Sequence, residues 1–499
     1  MALFGSTPPS IVSVFLSVFI DAFGGLVAMP VLPYLVYSFN GTAKDIGILS
    51  AAYQFASIFS MPVTARLSDK YGRRKFFLLG FLGSAAGFIT IGLSNQIWSM
   101  ILGRFIGGCF GASMPLAQAY ISDVVGTTSE MSGKLRAQLG SVFMAALIFA
   151  PGFGGGLAQF TLQTPFFVAT GMAIFGFILA YIYLTEPKKD EEEGADDPEA
   201  AGLVDKDDAE KDKTEAEKAD NEKYVKNLLY IRLLWMSSFL ANFGFRTMIT
   251  VLAPWLQYKF GWTSKEFGFL ASGIGVIGIG ANLIFYSKAS KKFGNTFSSI
   301  LFGSGAGVAW LIVASSRKTE DGGRGNFYTG PLVYFIGATL STMCNAIATT
   351  SNKTLLARYA TPMTQGKVMG TTESINAVAG VLGPLVAGAV FDEGWQDWLP
   401  VITGVFYFFS ALSVLAVYLH SKRTGHKVEK YEPKMVEFNT VMSELIFLRS
   451  RVHELEVEVQ TLKSRVRKKS GEGEKGDGDG QFEMNAMHGH HGHHQLGVL

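Results

Sequence analysis

Twelve apolar stretches of about 20 residues, each long enough to cross roughly 30 Å of hydrocarbon, alternate with short polar loops along this 499-residue chain. The pattern predicts membrane-spanning helices over Ile11–Tyr37, Ile46–Leu67, Phe76–Leu93, Trp98–Ile121, Leu139–Phe160 and Phe166–Leu184. A second set of six follows over Leu228–Gln257, Phe267–Tyr286, Ser298–Ala314, Tyr328–Thr350, Thr371–Phe391 and Leu399–Leu419. The first run continues through Tyr34 and Leu35 with no small-residue cleavage site, so it reads as a span and not a secretory signal.

The polar positions between these runs repeat. Ser68 to Gly72 returns, degraded, as Ser290 to Gly294, an offset of 222. Thr42-Ala43-Lys44-Asp45-Ile46-Gly47 matches Thr263-Ser264-Lys265-Glu266-Phe267-Gly268, and Phe19 to Gly24 aligns with Phe239 to Gly244. Gly133-Lys134, Pro151 and Thr170-Gly171 pair with Gly366-Lys367, Pro384 and Thr403-Gly404. Slowly drifting offsets are what a duplication with small loop insertions leaves. The expected fold is an all-α membrane protein of two pseudo-symmetric six-helix bundles facing a central cavity. We divide the chain into an N-terminal bundle (1–185), a charged linker (186–226), a C-terminal bundle (227–423), a coiled-coil-like helix (436–467) and a Gly/Asp/His-rich tail (468–499).

Charge orients the bundles. One set of loops carries Arg66, Lys70, Arg73, Arg74 and Lys75, then Lys134 and Arg136, Lys288, Lys291 and Lys292, and Lys353, Arg358 and Lys367. The alternate loops are nearly free of bases before Lys259, so the positive-inside bias places the first set and both termini in the cytoplasm. The host membrane is the plasma membrane or an endomembrane. The sequon Asn40-Gly41-Thr42 falls on the outer side, too close to the bilayer for glycosylation.

Outside the spans, 186–226 is rich in Asp, Glu, Lys and Ala and reads as a solvated cytoplasmic linker with patches of helix. Val441, Leu445, Leu448, Val452, Leu455, Val459, Leu462 and Val466 keep an a/d heptad. Two readings stand: a coiled coil for self-association or a partner protein, or an amphipathic helix lying on the membrane or on the protein itself. His488, His490, His491, His493 and His494 in the tail fit either a metal-binding segment or low-complexity sequence without function.

Composition excludes most alternatives. With 48% hydrophobic and 17% charged residues, the chain is too apolar for an ordinary soluble protein, and its net charge of +2 gives no nucleic-acid patch. Cys109 and Cys344 both lie in apolar runs and read as buried thiols. There is no nucleotide loop, no metal-ligand spacing in the folded part and no nucleophile–base pair. The chain is therefore expected to be neither an enzyme nor an ATP-driven pump, and to need no cofactor.

Leu67-Ser68-Asp69-Lys70, with Gly72, Arg73 and Arg74, resembles the loop signature of the major facilitator superfamily, with Ala65 in place of the usual Gly. Leu102-Gly103-Arg104-Phe105-Ile106-Gly107-Gly108 resembles its fourth-helix arginine motif. Ala150-Pro151-Gly152-Phe153-Gly154-Gly155 resembles the fifth-helix motif of the drug:proton antiporter branch that includes tetracycline exporters. Ala146 and Ala150 replace two of that motif's glycines, while the second-half counterpart keeps Gly383 and Pro384. The resemblance implies a cytoplasmic latch of Asp69, Gly72, Arg73, Arg74 and Asp123, with Lys291 making its second copy degenerate. It also implies a bilayer-embedded secondary transporter that moves a small organic solute in exchange for protons.

An ionised group within a span must face a wet or polar interior. Asp21, the lone acid of the first span, is the candidate proton carrier, with Arg104 as its coupling partner. A structural role for either residue is the competing reading. Arg246 would face the same cavity and favour an organic anion, or else neutralise Asp21 or Glu373. Gln54, Gln118, Asn242, Asn282, Asn345, Asn376 and Glu373 are further cavity candidates, each also explained by helix-packing hydrogen bonds. The alternative function is a membrane sensor or scaffold acting through its cytoplasmic coiled coil.

Overall fold

A computed structural model describes residues 9–111, 113–125, 130–187, 206–318, 330–361 and 364–424. The heptad helix at 436–467 and the histidine tail, with His488, His490, His491, His493 and His494, lie outside the described residues. All regular structure among the described residues is helical. The first half comprises α1 Pro9–Ala28, α2 Leu32–Ser38, α3 Ala43–Tyr71, α4 Arg73–Gly92, α5 Ile97–Phe110, α6 Ser113–Val125, α7 Glu130–Leu157 and α8 Thr164–Tyr183. The second half comprises α9 Lys206–Phe260, α10 Ser264–Gly280, a π-helical turn Ala281–Tyr286, α11 Ser287–Ala314, α12 Pro331–Tyr359, α13 Gln365–Asp392 and α14 Leu399–Thr424.

The internal repeat is visible as local chemistry. Both Thr42 and Thr263 cap their helices through a capping box, and their backbone N–H groups donate to Asp45 and Glu266, each at 2.8 Å. The chain breaks at Gly72 with φ +105° and at Gly294 with φ +73°, a backbone region that glycine enters without strain. Arg73 reaches Ser68 Oγ across the first break at 2.6 Å, and Ser290 Oγ donates to Asn295 Oδ1 across the second at 2.6 Å. A charged guanidinium makes the tie in one half, and two neutral side chains make it in the other.

Eleven helices among the described residues are long and apolar enough to cross a membrane. The eighth predicted span falls short of that measure as one α-helix. It is α10, 17 residues long, continuing through the π-helical turn into α11 as far as the break at Gly294. The predicted span Trp98–Ile121 is two helices, because the chain leaves helical geometry at Gly111. The seventh span is the end of the 55-residue α9, which starts inside the predicted linker.

Each half has its own apolar core, around Phe77, Phe81 and Tyr120 in the first and Trp255, Tyr334 and Tyr407 in the second. The outer surface is also apolar: Phe160 is 80% exposed, Leu93 65% and Phe149 64%. Such a surface suits lipid and not water.

The halves meet at the end carrying the two capping boxes. A Cβ at Gly47 would collide with the Pro384 carbonyl, and one at Gly388 with that of Ala43. On the pseudo-symmetric side, a Cβ at Gly155 would sit 2.5 Å from the Ser264 carbonyl and one at Gly268 2.5 Å from that of Pro151. The described conformation is closed at the capping-box end.

One carboxylate reinforces that closure. Asp392, ending α13, accepts the free N–H groups of Ala43 at 3.0 Å and Lys44 at 2.8 Å at the start of α3. Lys44 also pairs with Glu393 at 3.4 Å. A helix N-terminus favours such an anion. Asp392→Ala is expected to weaken this closure by about 0.5–1 kcal/mol, the range for an exposed cap. The check is labelling of Ser50→Cys, a position lining the space between the halves, by an impermeant maleimide from the capping-box side, which should quicken about twofold to fivefold on that basis.

Candidate functional site

A cavity of about 410 Å³ lies between the halves, within the size range of small-molecule sites. Asp21 of α1, Tyr53 and Gln54 of α3, Arg104 of α5, and Arg246 of α9 all line it. The break at Gly111 sets part of this geometry. It starts α6 at Ser113, whose hydroxyl donates to Asp21 Oδ2 at 2.7 Å, while Ser84 of α4 donates to Oδ1 at 3.2 Å. Asp21 therefore sits between two hydroxyls and forms no ion pair with Arg104.

Arg104 is held differently. Its guanidinium lies over the Tyr53 ring, 5.4 Å from the centroid, and its Nε is buried with no hydrogen-bond partner. Gly107, Gly108 and Gly111 leave the slot that Tyr53 fills: a Cβ at Gly111 would lie 2.5 Å from the phenol oxygen. Arg246 comes from the opposite half, where Gly383 makes room for it; a Cβ there would lie 2.9 Å from the Arg246 Cβ. Among the described residues, neither arginine has a carboxylate within ion-pair distance.

The other candidates are scattered. Gln54 is in the cavity beside Gly380, but Gln118 is exposed and outside its lining. Asn242 donates to Asn376 Oδ1 at 3.0 Å, tying α9 to α13. Asn345 lines a separate pocket of about 20 Å³ in the second half. Glu373 pairs with Lys353 at 3.1 Å, both side chains more than half exposed, so it is not the acid for Arg246. The side chain of Asn282 lies outside the described residues. Ala146 and Ala150 are fully buried, and Pro151, Gly154 and Gly155 form the contact face of α7 towards α10 and Val27.

At the basic end the structure gathers the expected latch residues. Arg73, 8% exposed, pairs with Asp69, and its Nε donates to Asp123 at 2.8 Å. Arg74 donates to the Tyr181 carbonyl at 2.6 Å. Glu186, assigned to the linker by composition, instead accepts the backbone N–H groups of Arg73 and Arg74 and packs against Gly72. A carboxylate 113 positions away in sequence carries no local signal of that role. Arg73→Lys keeps the charge but loses the planar fork. It is expected to cost about 1.5–3 kcal/mol, the scale for hydrogen bonds to charged groups, and a lowered thermal midpoint in detergent would show it.

Two bundles, a cavity between them and charged groups turned into it are the build of a secondary transporter. The sequence profile described as "Major Facilitator Superfamily" matches residues 14–323 and 234–468. The chain belongs to the major facilitator superfamily. Its relatives include the class H tetracycline resistance protein of Pasteurella multocida, 26% identical and covering 84% of this chain and 98% of that protein. The quinolone resistance protein NorA of Staphylococcus aureus (strain MRSA252) is 23% identical, with coverages of 76% and 89%. Among solved structures, the human organic anion transporter MFSD10 (TETRAN) matches with a TM-score of 0.55 and 19% identity, covering 81% of this chain and 99% of that one. This membership makes the chain an integral, multi-pass membrane transporter related to drug-resistance exporters, and not an enzyme.

Proposed function

We propose that this major facilitator moves a small organic anion across the membrane by alternating access, driven by protons. The observation that carries the reading is the pair Arg104 and Arg246, one from each half, facing one cavity without a carboxylate partner. A guanidinium at bilayer depth is costly unless something neutralises it, and an anionic cargo gripped from both sides supplies that charge. The solved relative named an organic anion transporter supports the same class of solute. Basic loops assign the end opposite the capping-box closure to the cytoplasm, and we read the described conformation as facing inward. Asp21, held by Ser84 and Ser113, is the proton site. The resemblance to drug-resistance relatives implies antiport, whereas the cavity charges of this chain argue for co-transport when the cargo is an anion.

The test is uptake into proteoliposomes of naphthalenesulfonate, an anion at any ordinary pH, against tetraphenylphosphonium, a permanent cation. Sulfonate uptake that responds to an imposed pH gradient is the expected result, and Asp21→Asn should remove the response. Proton-driven transport undiminished in Asp21→Asn would take Asp21 out of the mechanism.

A further inference from the structure

The charge inventory of the cavity constrains the direction in which proton and anion travel relative to each other. Among its lining residues the charged side chains are Asp21, Arg104 and Arg246. Tyr53 is the one other titratable group facing them. Around Asp21, α4 and α6 present the hydroxyls of Ser84 and Ser113. The flanking helices α7 and α8 present Phe153 to Phe23, and Ala169 and Met172 to Gly24, with no titratable group in the cavity wall. With Asp21 ionised, the three fixed charges sum to one positive charge.

Two coupling schemes follow from that sum. In exchange, the carrier crosses once with anion and an ionised Asp21, at net zero. It returns with Asp21 protonated and no anion, exposing two positive charges in a closed cavity that holds nothing to offset them. Desolvating two unpaired guanidinium groups together is the most costly arrangement these residues permit. In co-transport the loaded carrier holds proton and anion, and the empty carrier holds neither. Both forms then carry the same single positive charge, and the doubly charged empty form is never needed.

The binding equilibria point the same way. A proton on Asp21 removes the negative charge that repels an anion from Arg104 and Arg246, so each ligand tightens the other by one shared factor. A cationic solute would have the opposite relation to that proton, competing with it as exchange requires. Resting on the organic-anion reading above, we infer that proton and anion load this cavity together and cross in the same direction, the proton on Asp21 and the anion between Arg104 and Arg246.

Naphthalenesulfonate tests this directly, because its own charge is constant and any pH dependence belongs to the protein. Its affinity for the purified full-length protein should be at least about fivefold higher at mildly acid than at mildly alkaline pH, the lower end of typical coupling between two sites. Asp21→Asn should hold the acid-form affinity at both pH values. In proteoliposomes, an inward sulfonate gradient should acidify the lumen. Binding that is indifferent to pH or weaker in acid, or a lumen that turns alkaline, overturns co-transport while leaving the anion reading intact. Wild-type protein that binds tetraphenylphosphonium and ignores the sulfonate removes the anion reading, and this inference with it.

Discussion

Gly155→Val is expected to cut transport by at least about fivefold while leaving the protein folded. The first added carbon would lie 2.5 Å from the Ser264 carbonyl oxygen and 3.2 Å from the Cα atoms of Lys265 and Gly268. All three neighbours are backbone, so no side chain can turn aside, and α7 and α10 must separate. The contact joins the two halves and not the interior of either, where Ala146 and Ala150 stay fully buried. Overpacking costs about 1–3 kcal/mol, here charged almost wholly against the closed end. Uptake should fall by about fivefold to a hundredfold, with an unchanged gel-filtration profile. Gly156→Ala is the control, since a Cβ there meets nothing within 4 Å. Uptake by Gly155→Val within about twofold of wild type, well inside the tenfold that 1.4 kcal/mol represents, would show that the cycle does not need this contact.

The second large effect belongs to Arg246. Arg246→Ala removes the second half's only charge in the cavity wall among the described residues. A charge-assisted hydrogen bond contributes about 1.5–3 kcal/mol, so KM for naphthalenesulfonate should rise about tenfold to a hundredfold. Arg246→Lys should recover part of this, because the charge returns without the two-pronged geometry. An unchanged KM would dismiss Arg246 as an anion ligand. The two variants also separate two functions: the glycine change slows movement whatever the cargo, whereas the arginine change weakens one class of cargo.

Features set by charge and by internal repetition were legible in the sequence. The repeat is legible from matched segments alone, whereas it is the structure that shows Thr42 and Thr263 capping helices and Gly72 and Gly294 breaking them. Asp21, Arg104 and Arg246 could be placed in the cavity because an ionised group cannot face lipid. Neutral polar residues obey no such constraint. Asn242 and Asn376 satisfy each other between helices, and no periodicity distinguishes that from a cavity position. Tyr53, Ser84 and Ser113 were missed for the converse reason: inside apolar runs they look like packing residues, and only the tertiary fold brings them to Arg104 and Asp21. Asp392, 349 positions from the N–H it caps, has no local signature.

The length of α9 bears on more than packing. Its 55 residues, at 1.5 Å each, make an unbroken rod about 80 Å long, while the hydrocarbon it crosses is roughly 30 Å thick. The part before Leu228 is therefore a lever arm rigidly joined to the helix that carries Arg246. A tilt of the second half moves the arm's tip near Lys206 farther than it moves Arg246.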